Sequence, residues 1–438
     1  MRIKNKFKRA YHVLKTKGLK RFFKQSFRFF VKKTTLGRIN IYKEIDKKPK
    51  EVSRVLFEAF PSVHPIQTLK VQKDESRLNI VLESLEKSSF FGGVATSLVL
   101  ATLFANKYEI PLRIITRSSP PIPRVYHSFL KLMNIPKPLK VEYFSDYDRG
   151  YDINFQRLEV SENDTFLSTS WSTSQVVKSI NLRDTFFYIL QEAESILYPN
   201  GDNRYMCESI LQDPSIKYLL NSKMLADFYK KESFENVVKN SLIFEPAFPD
   251  HLYYPKTDAF HAKSKKKLFF YSRPSHPQNL FYTGLKILDV ALLQGVINKD
   301  EWEIYFAGND VSQIAFSNGF EPKLLGQLDW AGYMEFIKSV DLAFSLMYTP
   351  HPSYIPLDVA ASGGVVLTNK YDTKQSVPYS DNILCENLDL SSMLRGFTHA
   401  IKLANDGPKR QKNYLNNKIE KSWENTFEET LNYMYAHK

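Results

Sequence analysis

The chain has 438 residues, 43% hydrophobic and 24% charged, which excludes a disordered polymer and predicts two or three folded domains. Its two cysteines, Cys207 and Cys385, stand far apart and outside any C-x-x-C spacing. That excludes a disulfide framework and a structural zinc site, and suits a reducing compartment. The net charge of +13 is one-sided: residues 1–50 hold 18 Lys and Arg against Glu44 and Asp46, leaving −3 on the other 388 residues, so a nucleic-acid-binding surface spread over the fold is not expected.

Residues 1–50 read as a basic amphipathic arm. Ile3, Phe7, Ala10, Tyr11 and Leu14, then Phe22, Phe23, Phe27 and Phe30, recur at helical spacing with Lys and Arg between them. Aromatics on one face and cations on the other are the pattern of an interfacial membrane anchor, and each Lys or Arg near anionic lipid adds roughly 1 kcal/mol. The alternatives are a helix docking its Phe face on its own body, with the cations solvated, or a nucleic-acid arm. The N-terminal residues do not read as a signal peptide, and no apolar run reaches the ~18 residues of a membrane span. The expected location is the cytoplasmic face of the cell membrane.

Residues 51–246 predict a first α/β domain. LNIVLESL (78–85) reads as a strand, followed by a turn at Phe91-Gly92-Gly93, a helix from Val94 and a second strand IPLRIITR (110–117). In this βαβ order the turn glycines and the helix N-terminal amides can meet phosphate or sugar oxygens; the alternative is that a tight turn needs glycine there anyway. DTFLSTSWST (164–173) and DTFFYILQEAE (184–194) read as further strands. Sites in open α/β sheets lie at the carboxyl ends of strands, so Ser170, Trp171, Gln191 and Glu194 are candidates on the acceptor side. Trp171 as core and Glu194 as a surface charge are the structural alternatives.

Leu242–Pro255 reads as an extended connection, and residues 247–420 predict a second α/β domain, with a C-terminal helix over 421–438. KLFFYS (267–272) is a strand ending at Arg273, WEIYFAGN (302–309) a strand closed by Gly308, and LDWAGYMEFIKSV (328–340) a helix. DLAFSLM (341–347) and VVLTN (365–369) read as strands around a short helix, LDVAASGG. Pro356 suits a first helical turn, so the amides around Ser353 and Tyr354 are expected to face the cleft, with Asp358 one turn inside. A helix N-terminus for diphosphate and an acid for the pentose together suit a nucleotide.

The stretch YSRPSHPQNLF, AGN, LLGQL and DLAFSLMYTPHPSYIPLDVAASGGVVLTN resembles the donor domain of glycosyltransferase family 4. The HPSYIPLDVAASG and SRPS segments most resemble (WsaF-like) rhamnosyltransferases of the bacterial S-layer and cell-wall rhamnan type. The likeness is fullest over residues 265–405 and looser in the first domain, through FGGV, STSWST and QEAE. It implies a GT-B fold of two Rossmann-like, doubly wound domains facing a cleft. It also implies retaining transfer of L-rhamnose from dTDP-L-rhamnose to a lipid-linked or growing cell-surface polysaccharide, without a metal. On that likeness Arg273 is the catalytic cation on the diphosphate, Ser353, Tyr354 and Asp358 bind the donor, and Gly92 and Gly93 wall the site. Three positions depart from the family: Pro350 replaces the first glutamate of E-x7-E, Asp358 shortens the second, and Gln327 stands where a basic residue often follows LLG. Lys323 or another lysine could replace that cation.

Two other readings fit the same sequence. Asp146-Tyr147-Asp148 is a D-x-D of the kind that holds a divalent metal in GT-A enzymes. A membrane-associated sugar- or nucleotide-binding protein with weakened chemistry is the second. His251 and His351 sit in proline-rich loops without a nucleophile elbow, so nothing in the sequence suggests a Ser-His-Asp hydrolase.

Overall fold

The computed structural model describes residues 50–86, 92–146, 157–308 and 311–438. The basic arm, Lys50 apart, lies outside these residues, as do Phe91, Tyr147 and Asp148. Two compact units divide at Ala59 and Phe60. Within the first, the described residues form the helix Val52–Ala59.

The second unit contains two parallel sheets. The first has seven strands in the order β4-β3-β2-β6-β7-β8-β9. They are β2 (Arg77–Leu82), β3 (Leu112–Thr116), β4 (Val141–Ser145), β6 (Asp164–Ser168), β7 (Phe186–Leu190), β8 (Ile216–Asn221) and β9 (Ser241–Phe244). A small parallel pair, β1 (Thr68–Lys70) and β5 (Leu158–Val160), stands apart from it. The second sheet has six strands in the order β12-β11-β10-β13-β14-β15. These are β10 (Lys266–Tyr271), β11 (Trp302–Ala307), β12 (Lys323–Gly326), β13 (Leu342–Phe344), β14 (Val365–Asn369) and β15 (Ile383–Glu386). Both sheets are the doubly wound, Rossmann-like kind, with helices on both faces.

Covering both faces explains the sequence. All six residues of β2 are buried, the continuous run of a central parallel strand rather than the alternation of a half-wet one. Leu78, Ile80 and Leu82 point into one core while Val81 points into another. The helix Gly93–Lys107 is buried from Ala95 to Ala105, as its apolar run predicts for a helix enclosed on all sides. One core cluster joins this helix to Phe269, Ala343 and Val359 of the second half. The last helix, Trp423–Ala436, returns to the first half: Tyr435 stacks on Tyr108 at 4.0 Å, and Phe427 meets Phe244 at 5.0 Å.

One expectation changes. Leu242–Pro255 begins not as a connection but as β9, the edge strand beside β8. Ile243 is 44% exposed and Phe244 3%. That edge alternation is too short to separate from the Pro- and Tyr-rich stretch that follows.

Candidate functional site

A cavity of about 440 Å³ lies where the carboxyl ends of the two sheets meet, lined by residues of both. That is where ligands bind in open α/β sheets. The first half supplies Gly92, Gly93 and Thr96 after β2, and Gln191 and Glu192 after β7. From the second come Arg273 after β10, Gly308 after β11, Gln327 after β12, and His351, Ser353, Tyr354 and Asp358 after β13.

Glycine is required at two of these turns. Gly92 has φ +55° and begins the helix Gly93–Lys107, a conformation that costs other residues strain. At Gly308, φ +153°, a Cβ would lie 1.6 Å from the Ser272 carbonyl. Any side chain there would part β11 from β10.

Arg273 is held rather than neutralised. Its Nη1 donates to Tyr271 Oη at 3.2 Å and its Nη2 lies 2.7 Å from His276 Nε2. Burial, then the guanidinium itself, depresses the His276 pKa, so the ring stays neutral and can accept. No carboxylate among the described residues forms an ion pair with Arg273. A fixed guanidinium with no counter-ion among the described residues suits a planar, multi-oxygen anion.

The loop before the helix Tyr354–Ala361 is shaped by a histidine. His351 Nδ1 accepts the Ser353 N–H at 3.0 Å while Ser353 holds φ +68°. Burial, helped by Lys374, pushes the His351 pKa down to about 3, so the neutral ring carries its proton on Nε2. The expected row of open amides is therefore shorter. The Ser353 amide is used, Pro356 has none, and the Tyr354 and Ile355 amides are left without a helical acceptor.

Inside that helix Asp358 is 5% exposed and accepts from Tyr333 Oη at 2.6 Å and from the Tyr253 hydroxyl. Burial outweighs both phenols and raises its pKa to about 7. Tyr354 reaches the other half instead: its hydroxyl lies 2.6 Å from Asn221 Nδ2, 2.7 Å from Thr96 Oγ1 and 3.3 Å from Gln191 Oε1. Gln191 in turn donates to the Gly93 carbonyl at 2.8 Å.

Residues 77–213 match the N-terminal domain of WsaF, and residues 266–398 match its C-terminal domain. The chain belongs to the WsaF family. It is a glycosyltransferase of GT-B fold, and the two matched segments cover most of the two sheets that face the cavity. The family match is accompanied by a 159-residue stretch 28% identical to the O-antigen biosynthesis protein RfbC of Myxococcus xanthus. That stretch spans 36% of this chain and 12% of that protein. TarM of S. aureus, solved with UDP, shares the fold at 10% identity and a TM-score of 0.59, over 82% of this chain and 100% of that one. HepE of Anabaena, solved with UDP-glucose, does so at 12% identity and 0.55, over 83% and 100%.

Within this WsaF-family cleft the sequence candidates separate into two groups. Gly92, Gly93, Gln191, Arg273, Ser353, Tyr354 and Asp358 line one cavity. Ser170, Trp171 and Glu194 do not. Ser170 caps the helix Trp171–Ile180 by a reciprocal bond with Thr173, and Glu194 Oε2 accepts the Trp171 N–H at 2.8 Å. The Trp171 indole is 4% exposed and donates to Tyr198 Oη at 2.9 Å. These three hold a helix N-terminus, where hydroxyls and a carboxylate satisfy otherwise open amides.

The metal reading of the D-x-D meets a structural role: Asp146 forms a buried ion pair with Arg117 at 2.5 Å, and Asp148 is outside the described residues. Lys323 does not supply a second cation, because it pairs with Glu303 at 2.7 Å and is not part of the cavity lining.

Sequence reading missed Glu192, Tyr253, Tyr333 and the ring role of His351. Glu192 lines the cavity with its pKa raised to about 7 by desolvation. The strand before it, Phe186–Leu190, is apolar and buried throughout, so no alternation marks which residue after Leu190 turns into the cavity. The two tyrosines lie 105 and 25 residues from Asp358, a distance no local pattern bridges.

Proposed function

We propose that the chain transfers L-rhamnose from dTDP-L-rhamnose, with retention at the anomeric carbon, onto a lipid-linked or growing cell-surface polysaccharide. What carries the reading is one cavity that combines Arg273, oriented and without a described acid partner, the Tyr354 helix N-terminus, and Asp358 one turn inside. Arg273 holds the nucleotide diphosphate and takes up the negative charge that grows on it as the sugar leaves. The Tyr354 and Ile355 amides meet phosphate oxygens. Asp358, steered by two phenols, accepts from a pentose hydroxyl. Gly92 and Gly93 leave room for the sugar, and Gln191 and Glu192 face the acceptor side. The basic arm over residues 1–50 brings this site to an anionic membrane surface, where a lipid-linked acceptor is found. UDP and UDP-glucose in the HepE and TarM structures support a nucleotide-sugar donor.

The test is a panel of dTDP-, UDP- and GDP-sugars offered with rhamnose-terminated acceptors, with anomeric configuration read by NMR. Retained transfer from dTDP-L-rhamnose is expected. Transfer from another donor alone, or inversion, overturns the finer reading.

A further inference from the structure

Lys374 follows β14 on a tight turn and is fully buried, 0% exposed. Its ammonium donates to the Met347 carbonyl at 2.8 Å and lies 3.5 Å from the His351 carbonyl. Asn369 braces the same loop, donating to the Met347 carbonyl at 3.1 Å and accepting its N–H at 2.8 Å. Met347 and His351 both line the cavity, whereas Lys374 stands behind them.

The groups facing this ammonium are few. Cys385 faces it from β15, Glu192 from the end of β7 and His351 from the loop. The Cys385 thiol is pushed up to about 11 and the His351 ring down to about 3, so both are neutral around pH 7. On its own turn Asp372 is engaged by Lys231. Glu192 is the acid facing it among the described residues, and no described carboxylate comes within ion-pair distance of Lys374. A buried ammonium satisfied by carbonyls alone is costly to keep charged.

We infer that Lys374 is the second cation of the donor site, a positioning residue that acts from behind the Met347–His351 loop on a bound nucleotide diphosphate it does not touch. It supplies from the far side of the loop the positive charge that Gln327 does not. This rests on the reading that the cavity takes a nucleotide sugar. Desolvation lowers the Lys374 pKa to about 8. Coupling is reciprocal, so an anion in the cavity strengthens proton binding at Lys374 and the charged lysine strengthens anion binding by the same factor. Affinity is then full below pH 8 and falls as the pH rises through the lysine's own value.

The experiment is calorimetric titration of the full chain with dTDP and UDP between pH 7.5 and 9.5, in buffers of different ionisation enthalpy. In this window the terminal phosphate is already ionised, and Glu192 and Asp358, with pKa values near 7, titrate mainly below it. Wild type should weaken on the order of tenfold across the window, with proton uptake on binding. Lys374→Arg stays charged and should bind with a flat profile. Lys374→Met should bind on the order of tenfold more weakly at pH 7.5 and also be flat. A flat wild-type profile without proton uptake overturns the role of Lys374 while leaving the donor site standing, as does an Arg variant that keeps the wild-type slope. No binding of either nucleotide at pH 7.5 overturns both.

Discussion

The hydroxyl of Tyr354 lies 2.7 Å from Thr96 Oγ1, joining the first turn of a helix in the second half to the first turn of a helix in the first half. Asn221 and Gln191 complete the cluster, so one phenol is bonded to the helix after β2, the turn after β7 and the last residue of β8. Tyr354→Phe strips this oxygen and leaves buried polar partners unmatched, at about 1–3 kcal/mol. We expect a lower melting temperature and a several-fold loss of kcat/KM. A variant with unchanged melting and unchanged kinetics would show that the cluster does not hold the cleft.

Arg273→Ala should lower turnover on the order of 10²–10³-fold at saturating donor and acceptor, as does removal of other preorganised donors to a developing charge. Arg273→Lys should recover part of the rate, since an ammonium cannot match the planar fork. A rate for the alanine variant within about threefold of wild type takes Arg273 out of the chemistry.

Asp358→Asn should weaken donor binding more than it slows the bound complex, because a pentose contact exists in ground and transition states alike. It also carries a stability signature. The Asp358 pKa, about 7 in the fold through burial, lies above the value of about 4 in an unfolded chain. The contribution of this group is therefore full below about pH 4 and is lost as the pH rises toward 7, on the order of 2–4 kcal/mol. Melting curves between pH 4 and 8 should fall less steeply for the Asn variant than for wild type. Equal slopes would mean that the carboxyl does not titrate as its burial dictates.

Deleting residues 1–38, which hold 14 Lys and Arg and no acid, should release the protein from anionic liposomes in a flotation assay. Donor binding should be unchanged. Unfolding of the truncated protein would instead place the Phe face of the arm on the protein body.

Local patterns made much of this molecule legible. The enclosed helix after Gly93 and the strands before Arg273 and Gly308 announce themselves by runs of apolar residues closed by Gly or a cation, and β2 by its apolar run alone. The helix carrying Asp358 was legible too, although it begins at Tyr354 rather than at Leu357. Position at a strand end was a weaker guide. It placed Gln191 and Arg273 in the cavity, but it equally marked Ser170, Trp171 and Glu194, whose polar groups serve a helix terminus. Burial direction over one or two residues after a strand depends on the path of the turn, and composition does not record that path. Nor could sequence register show that a lysine 16 residues beyond Asp358 folds back beneath the loop in front of it.

The chain passes from the first half to the second through residues 247–265 and comes back through residues 416–422. The two passages touch: Ala247 bridges to Glu420, and the Phe248 N–H donates to the Glu420 carbonyl at 2.7 Å. Both crossings of the chain between the halves therefore share one seam. Ala247 and Phe248 also line the cavity, so the seam that ties the halves together is at the same time part of the wall a ligand meets.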